Sequence, residues 1–512
     1  MVAMKNKFLW GASESGFQFE MGDKDKRNID PNTDWWVWVH DKDNIEKGIV
    51  SGDLPENGIN YWDLYEKDHN LAKEIGMNAY RIGIEWSRIF PEPTFSIAVD
   101  VKRDENDIIT EINVDLEAID RLHSFANQYA LAHYRDIIMD LRKKGMKVFV
   151  CLNHFTLPLW VHDPIKAKKT NLEDGPLGWA DSKTVIEFVK YAAYVAWRLG
   201  DLVDMWCLFN EPLVVAELGY LLSDTGFPPG VSSPEGYISV HMNLINAHVR
   251  GYDVIKKWDT KKADEDSPSP AEVGLIHNVI PPYPLDPNNE KDIRAAEHFN
   301  YLRNELILNA ITKGEVDIDF NGEIDSDEFF PSFKNKLDWL GINYYTRVVI
   351  KHSEKLFFEA SELTDFEMVK GYGHECPPRE KSKAGLPTTD FGWEIYPEGL
   401  RDIVKRLSKY GLPMYITENG IADAEDKLRP MYLIEHLKQV DKLINEDKVD
   451  LRGYFTWALT DNYEWASGFK MKFGLFEVDL DTKERIRRKS ADIFKEIVTV
   501  GSVTEEIEKK YL

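Results

Sequence analysis

Cysteine is scarce in this 512-residue chain: Cys151, Cys207 and Cys376 are its three, an odd number with no close spacing. That excludes a disulfide framework and a zinc knuckle, which need cysteines paired at short or regular intervals. Long apolar runs are missing too. The N-terminal MVAMKNKFLWGASESGF puts only a few apolar residues after its lysines, too few for a secretory core or a membrane span, so the expected compartment is the cytoplasm. Positive charge is in deficit, with 63 Lys and Arg against 88 Asp and Glu and a formal net charge of -25. A nucleic-acid partner needs basic residues gathered to meet phosphates, so a neutral or cationic ligand fits better. Internal repeats, low-complexity tracts and Pro- or Ser-rich linkers are absent.

Tryptophan is plentiful, with fifteen residues. Indole faces stack well on the C–H faces of sugars, although core packing explains any single tryptophan at least as well. The stronger signal is alternation. Eight short β-rich runs begin at Phe8, Asn78, Lys147, Met205, Glu272, Trp339, Met414 and Gly453. Helical patterns lie between them, and three end on Gly145, Gly200 and Gly411, which read as C-caps. This series predicts an α/β fold, a single (β/α)8 TIM barrel over residues 1–512 with long βα loops. Two of those loops are an insertion near Pro91 to Tyr129 and a stretch from Lys351 to Asp390.

Active sites of such barrels sit where the strands end. The fourth run ends in Asn210-Glu211-Pro212, the seventh in Thr417-Glu418-Asn419-Gly420 and the third in Asn153-His154. Gln18 follows the first run, Asn343 and Tyr345 lie on the sixth, and Trp457, Glu464 and Trp465 lie on or after the eighth. A lone glutamate there commonly caps a loop or pairs with arginine. Two of them across one barrel mouth, amid polar neighbours, are what glycoside hydrolysis requires: one to protonate the leaving oxygen and one to remain ionised.

The motifs FNEP (209–212), ITENG (416–420), GFQFE (16–20), YRIGIEWSRIFP (80–91), GINYYTR (341–347), GWEIYPEGL (392–400) and WALTDNYEWASGF (457–469) resemble those of glycoside hydrolase family 1, through nearly the whole chain. The loops and SGDLPENG from Ser51 resemble its archaeal β-glycosidase branch of β-glucosidases, β-galactosidases and β-mannosidases. The resemblance implies a retaining exo-β-glycosidase working through a covalent glycosyl-enzyme. It makes Glu211 the general acid/base and Glu418 the nucleophile, with Arg81 and Tyr345 holding Glu418 and Asn210 at the sugar's C2 hydroxyl. It also implies sugar binding by Gln18, His154, Glu464 and Trp465, a stacking floor at Trp457 and an aglycone platform at Trp393. No cofactor is implied, heat stability is, and the branch suggests a homotetramer. Glu464, Met471 and Phe473 depart from the phospho-β-glycosidases, so the sugar is expected to be unphosphorylated.

Leu208 and Phe155 also depart from the family pattern and are expected near the sugar's C3 side, where they would bear on epimer choice; a mannoside stays open. A non-catalytic sugar-binding barrel and a transglycosylase are the alternative functions. Finally, residues 317–328, DIDFNGEIDSDE, match an EF-hand loop with oxygens at Asp317, Asp319, Asn321 and Glu328 and the turn glycine at Gly322. An acidic surface loop satisfies the same letters, and no metal is assigned.

Overall fold

The computed structural model describes residues 8–356 and 361–512. The first seven residues, and four within the long stretch from Lys351 to Asp390, lie outside them. Eight strands close into one barrel: β1 (Leu9–Ser13), β2 (Ala79–Gly83), β3 (Lys147–Cys151), β4 (Met205–Asn210), β5 (Glu272–Asn278), β6 (Trp339–Asn343), β7 (Met414–Asn419) and β8 (Leu451–Thr456). Each pairs in parallel with its sequence neighbours, and β1 closes the ring on β8. These are the eight runs of the sequence. They are apolar on nearly every residue because helices cover one face and the barrel interior the other.

The helical layer comprises α1 (Tyr61–Glu74), α2 (Gln128–Lys143), α3 (Lys183–Leu199), α4 (Pro234–Trp258), α5 (Glu290–Asn300), α6 (Leu306–Lys313), α7 (Pro397–Leu407), α8 (Arg429–Asn445) and α9 (Lys489–Val500). Their starts follow capping chemistry. The Asn127 side chain accepts from the N–H groups of Tyr129 and Ala130 at α2, and Ser233 accepts from Gly236 ahead of Pro234 at α4. Gly145 and Gly411 take the left-handed conformation expected after a helix, with φ of 81° and 67°. Gly200 does not. It stays right-handed at φ -58°, and a Cβ there would lie 2.4 Å from Asp259 Oδ1, so space rather than backbone freedom selects glycine.

The N-terminal half of the barrel interior is an apolar plug of Ala79, Phe149, Cys151, Met205, Cys207, Ile276, Trp339, Tyr415 and Phe455. Phe149 sits at its centre, with ring centroids 5.4, 5.2 and 5.0 Å from Trp339, Tyr415 and Phe455. Burying one such ring contributes about 1.5–3 kcal/mol, and edge-on pairs add to it. The insertion after Pro91 folds as a hairpin (Asp100–Arg103 with Ile109–Asn113) and a helix (Leu116–Phe125). Strand Val348–His352, entering the second long loop, joins Phe366–Met368 and Pro282–Pro284 in a small sheet. Among the described residues no helix is long and apolar enough to cross a membrane.

Candidate active site

Side chains alternate along a strand, so Ala79 in the plug puts Arg81, two residues on, at the barrel mouth. Simple alternation would not deliver the two glutamates. On β4 the inward residues Met205 and Cys207 would be followed by Phe209, yet Phe209 packs outward on Phe188 and Trp179, and Asn210 turns in. Register shifts between Cys207 and Asn210 on β4, and between Ile416 and Glu418 on β7, re-aim the strand ends as bulges do. Glu211 then adopts φ 51°, ψ 56°, a left-handed backbone unusual for glutamate and the kind of local strain that collects at functional sites.

The two carboxyl groups belong to one buried network. Arg81 Nη2 donates to Glu418 Oε1 at 2.5 Å, and the Tyr345 hydroxyl donates to Glu418 Oε2 at 2.7 Å. Each oxygen of Glu418 thus faces a donor, an arrangement suited to an ionised carboxylate. Arg81 Nη1 donates to Asn210 Oδ1 (3.3 Å), which also accepts from Asn343 Nδ2 (3.1 Å), and that same amide donates to Glu211 Oε1 at 2.7 Å. The Asn343 amide is oriented by Thr417, whose hydroxyl donates to its Oδ1. Burial, and then the charge of Glu418, push the Glu211 carboxyl up to about 8, against the opposing pull of the Asn343 donor, Arg303 and Arg81.

Around this pair stand the residues expected to hold a sugar. Gln18 Nε2 lies 3.4 Å from Glu464 Oε2 and donates to Tyr463 O and Asn462 Oδ1. Burial, followed by the charges of Glu418 and Glu211, raises Glu464 to about 8. Asn210 Nδ2 is 3.1 Å from His154 Nε2, and burial beside Arg81 holds the His154 imidazole well below the ordinary histidine range. The His154 ring lies 5.9 Å from Trp457 and 5.8 Å from Trp465, both near parallel to it. Trp393, half-buried, stacks on Phe391 at 4.6 Å and meets Tyr345 edge-on at 5.3 Å. A side chain on Gly420 would strike the Trp457 carbonyl, its Cβ only 1.7 Å away, which explains the glycine after Asn419.

Every residue expected at the site therefore falls within one connected group at the strand ends. One neighbour does not. Leu208 points away from the mouth and packs against Gly251 of α4, where a Cβ would come within 2.6 Å of its Cδ2, so it cannot reach a sugar. The irregularity of β4 misleads a count of two back from Asn210. Phe155 is nearer, 5.0 Å from Trp465. The sequence reading gave no role to Asn343, although its place on β6 marked it. It missed Asn278, Arg303 and Glu217: Asn278 at least ends β5, whereas the other two lie on helical turns with no local signal.

The acidic loop gathers carboxylate oxygens of Asp317, Asp319 and Glu328 within 4.8 Å of one another, with Gly322 at φ 81°. Asp317 accepts from the N–H groups of Asn321 and Gly322 and from the Tyr301 hydroxyl, and Glu328 from those of Ile318 and Asp325. These bonds close the acidic loop on its own backbone without calling for an ion.

Burial that keeps one carboxyl protonatable beside a carboxylate held by arginine and tyrosine suits the chemistry of a glycoside hydrolase. The chain belongs to glycosyl hydrolase family 1, whose sequence profile matches residues 2–99 and 122–502. The unmatched gap holds the hairpin after Pro91. A β-galactosidase of Pyrococcus woesei is 54% identical over 509 residues, 99% of each chain. The crystal structure of the β-glycosidase from the hyperthermophile Thermosphaera aggregans superposes with a TM-score of 0.90 at 42% identity, covering 99% of this chain and 100% of that one. A β-glucosidase mutant derived from a hyperthermophilic tetrameric structure gives 0.87 at 44% identity, over 99% and 98%. The chain is accordingly a β-glycosidase of a retaining family.

Proposed function

We propose that Glu211 is the proton shuttle and Glu418 the nucleophile of an exo-acting hydrolase of unphosphorylated β-D-galactosides and β-D-glucosides. The observation that carries this reading is the asymmetry of the pair: one carboxyl is pushed up to about 8, while both oxygens of the other accept from Arg81 and Tyr345. In the first half-reaction Glu418 attacks the anomeric carbon as the glycosidic bond breaks and Glu211 gives its proton to the leaving oxygen. In the second, Glu211 takes a proton from water, the water oxygen bonds to the anomeric carbon, and Glu418 departs as carboxylate. Loss of the Glu418 charge on glycosylation removes a cause of the raised Glu211 pKa, so the acid becomes the base when it is needed.

Gln18, His154, Asn210, Glu464, Trp457 and Trp465 bind the non-reducing sugar in this reading, and Trp393 carries the aglycone. The Glu464 carboxyl beside Gln18 offers a C6 phosphate no cation to pair with, and its ionised form would repel one. The β-galactosidase relative supports the galactoside preference, and a mannoside is tested alongside. A rate panel over aryl β-galactoside, glucoside, mannoside and fucoside, following the anomer first released, examines both points. Release of the α-anomer would end the retaining assignment, and a mannoside rate above the others would overturn the sugar preference. Glu211→Ala should cost about 10²–10⁴-fold on alkyl glycosides and much less on dinitrophenyl glycosides, whose leaving groups need no proton.

The tetrameric origin of one relative supports a homotetramer here. Light scattering should then give about four times the 59.2 kDa chain mass; a monomer would refute it. Relatives from hyperthermophiles support heat stability, with a melting point above about 65 °C, the upper mesophile range. Free, buried cysteines support a reducing, cytoplasmic setting.

A further inference from the structure

Behind Glu211 lies a polar relay that the double displacement leaves unused. Helices following β4 and β5 each contain a π-helical turn, Ala216–Leu221 and Tyr301–Glu305, and one member of an ion pair between buried Arg303 and half-buried Glu217 sits on each. Arg303 Nε lies 3.1 Å from Glu217 Oε1, and the arginine side chain is 6% exposed. A π turn shifts the phase of the helix by one residue and recurs at functional sites. From this seat Arg303 reaches Asn278 at the end of β5 with both terminal nitrogens: Nη1 donates to its carbonyl oxygen at 3.0 Å and Nη2 to its Oδ1 at 2.9 Å. Asn278 Nδ2 in turn lies 3.3 Å from Glu211 Oε1.

Arginine has donors only, so it can meet only the oxygen of the Asn278 amide. The amide nitrogen must then face Glu211. Asn343 Nδ2 donates to the same oxygen, Oε1. Two N–H donors on Oε1 leave no room for a proton there, since an O–H directed at either would oppose it. We propose that Arg303, clamped by Glu217, is a positioning residue that fixes the Asn278 amide and so confines the catalytic proton to Oε2 of Glu211. This inference rests on Glu211 being the proton shuttle.

The charged surroundings are countable. Glu211 feels Glu418, Arg81 and Arg303, with Tyr345 nearby. Arg303 acts on Glu217, Tyr237, His277 and His374. Burial, reinforced by Arg303, holds His277 at about 3 and His374 at about 4, so both stay neutral through the working range. Glu464, also near 8, titrates beside Glu211 and must be separated from it experimentally.

The test uses Arg303→Met and Arg303→Lys in the full chain, each with an alkyl and a dinitrophenyl β-glycoside of the same sugar. Single-turnover rates isolate glycosylation. The dinitrophenyl substrate needs no proton, so its rate reports folding and its pH profile isolates Glu464. Arg303→Met should lower the alkyl rate about tenfold to a hundredfold, with the dinitrophenyl rate nearly unchanged. It should also move the basic limb of the alkyl profile upward by about one pH unit, because a cation favouring ionised Glu211 is gone. Arg303→Lys keeps the charge but not the two-pronged grip on Asn278, so the limb should hold while an alkyl defect persists. Equal losses on both substrates, or none on either, would overturn the proposal. Glu211→Ala with azide is the parallel control: selective alkyl loss and trapping of a β-glycosyl azide support the shuttle itself. If that control fails, the reading of Glu211 fails; if it holds and the arginine variants show no selectivity, only the relay fails.

Discussion

The two ends of one barrel interior are built from the same strands and have opposite chemistry. At the N-terminal end Phe149, Trp339, Tyr415 and Phe455 interlock as a dry aromatic plug. A few residues further along the barrel strands, Arg81, Asn210, Asn343 and Glu418 form a buried chain of hydrogen bonds anchored on a charged pair. The plug gains from burial itself. The mouth spends burial on a different end, raising Glu211 and Glu464 and stiffening Glu418 between two donors. The comparison teaches that the mouth can be polar because the plug is not: a rigid apolar floor fixes where each strand delivers its last side chain.

That contrast can be broken from either side. The largest effect is expected at the mouth: Glu418→Ala should lower kcat by about 10⁴-fold or more, since no other group can bond the anomeric carbon. Steady-state rates on an aryl β-galactoside check it. Next, at the floor, Phe149→Ala should cost about 3–5 kcal/mol of stability in denaturant melts, while the protein that remains folded keeps most of its kcat. A Phe149 variant that loses activity without losing stability would erase the division between the two ends.

Smaller effects sharpen the picture. Activity on alkyl glycosides should fall as pH rises through about 8, where Glu211 loses the proton it must donate. The sign follows from the cause: burial and Glu418 favour the neutral form, so the acid persists above its ordinary range and is lost only on the alkaline side. The smallest expected change is at the rim, where Trp393→Ala should raise KM about tenfold for large aglycones, worth about 1.4 kcal/mol, and little for a methyl glycoside.

Much of this was legible before any coordinates. Eight β-rich runs separated by amphipathic helices allowed one barrel, because parallel strands buried on both faces read as unbroken apolar runs. The glutamates at the ends of β4 and β7 stood out because charge there is costly without a use. The irregular backbone was not legible. Leu208 faces outward in regular alternation with Cys207, while the pairing shift that follows turns Asn210 inward, and a shift leaves no mark in the letters. Nor was the relay visible: Arg303 meets Asn278 across 25 residues, on a π turn that sequence periodicity reads as ordinary helix. Gly200 shows the same limit, since glycine was right and the reason, room for Asp259, was tertiary.

The most direct test of the division of labour is to trap the glycosyl-enzyme with a 2-deoxy-2-fluoro-β-glycosyl donor and locate the adduct by peptide mass spectrometry. One sugar per chain, on the peptide bearing Glu418 and at that residue, is the expected result. A sugar on Glu211, or full turnover with no adduct, would contradict it.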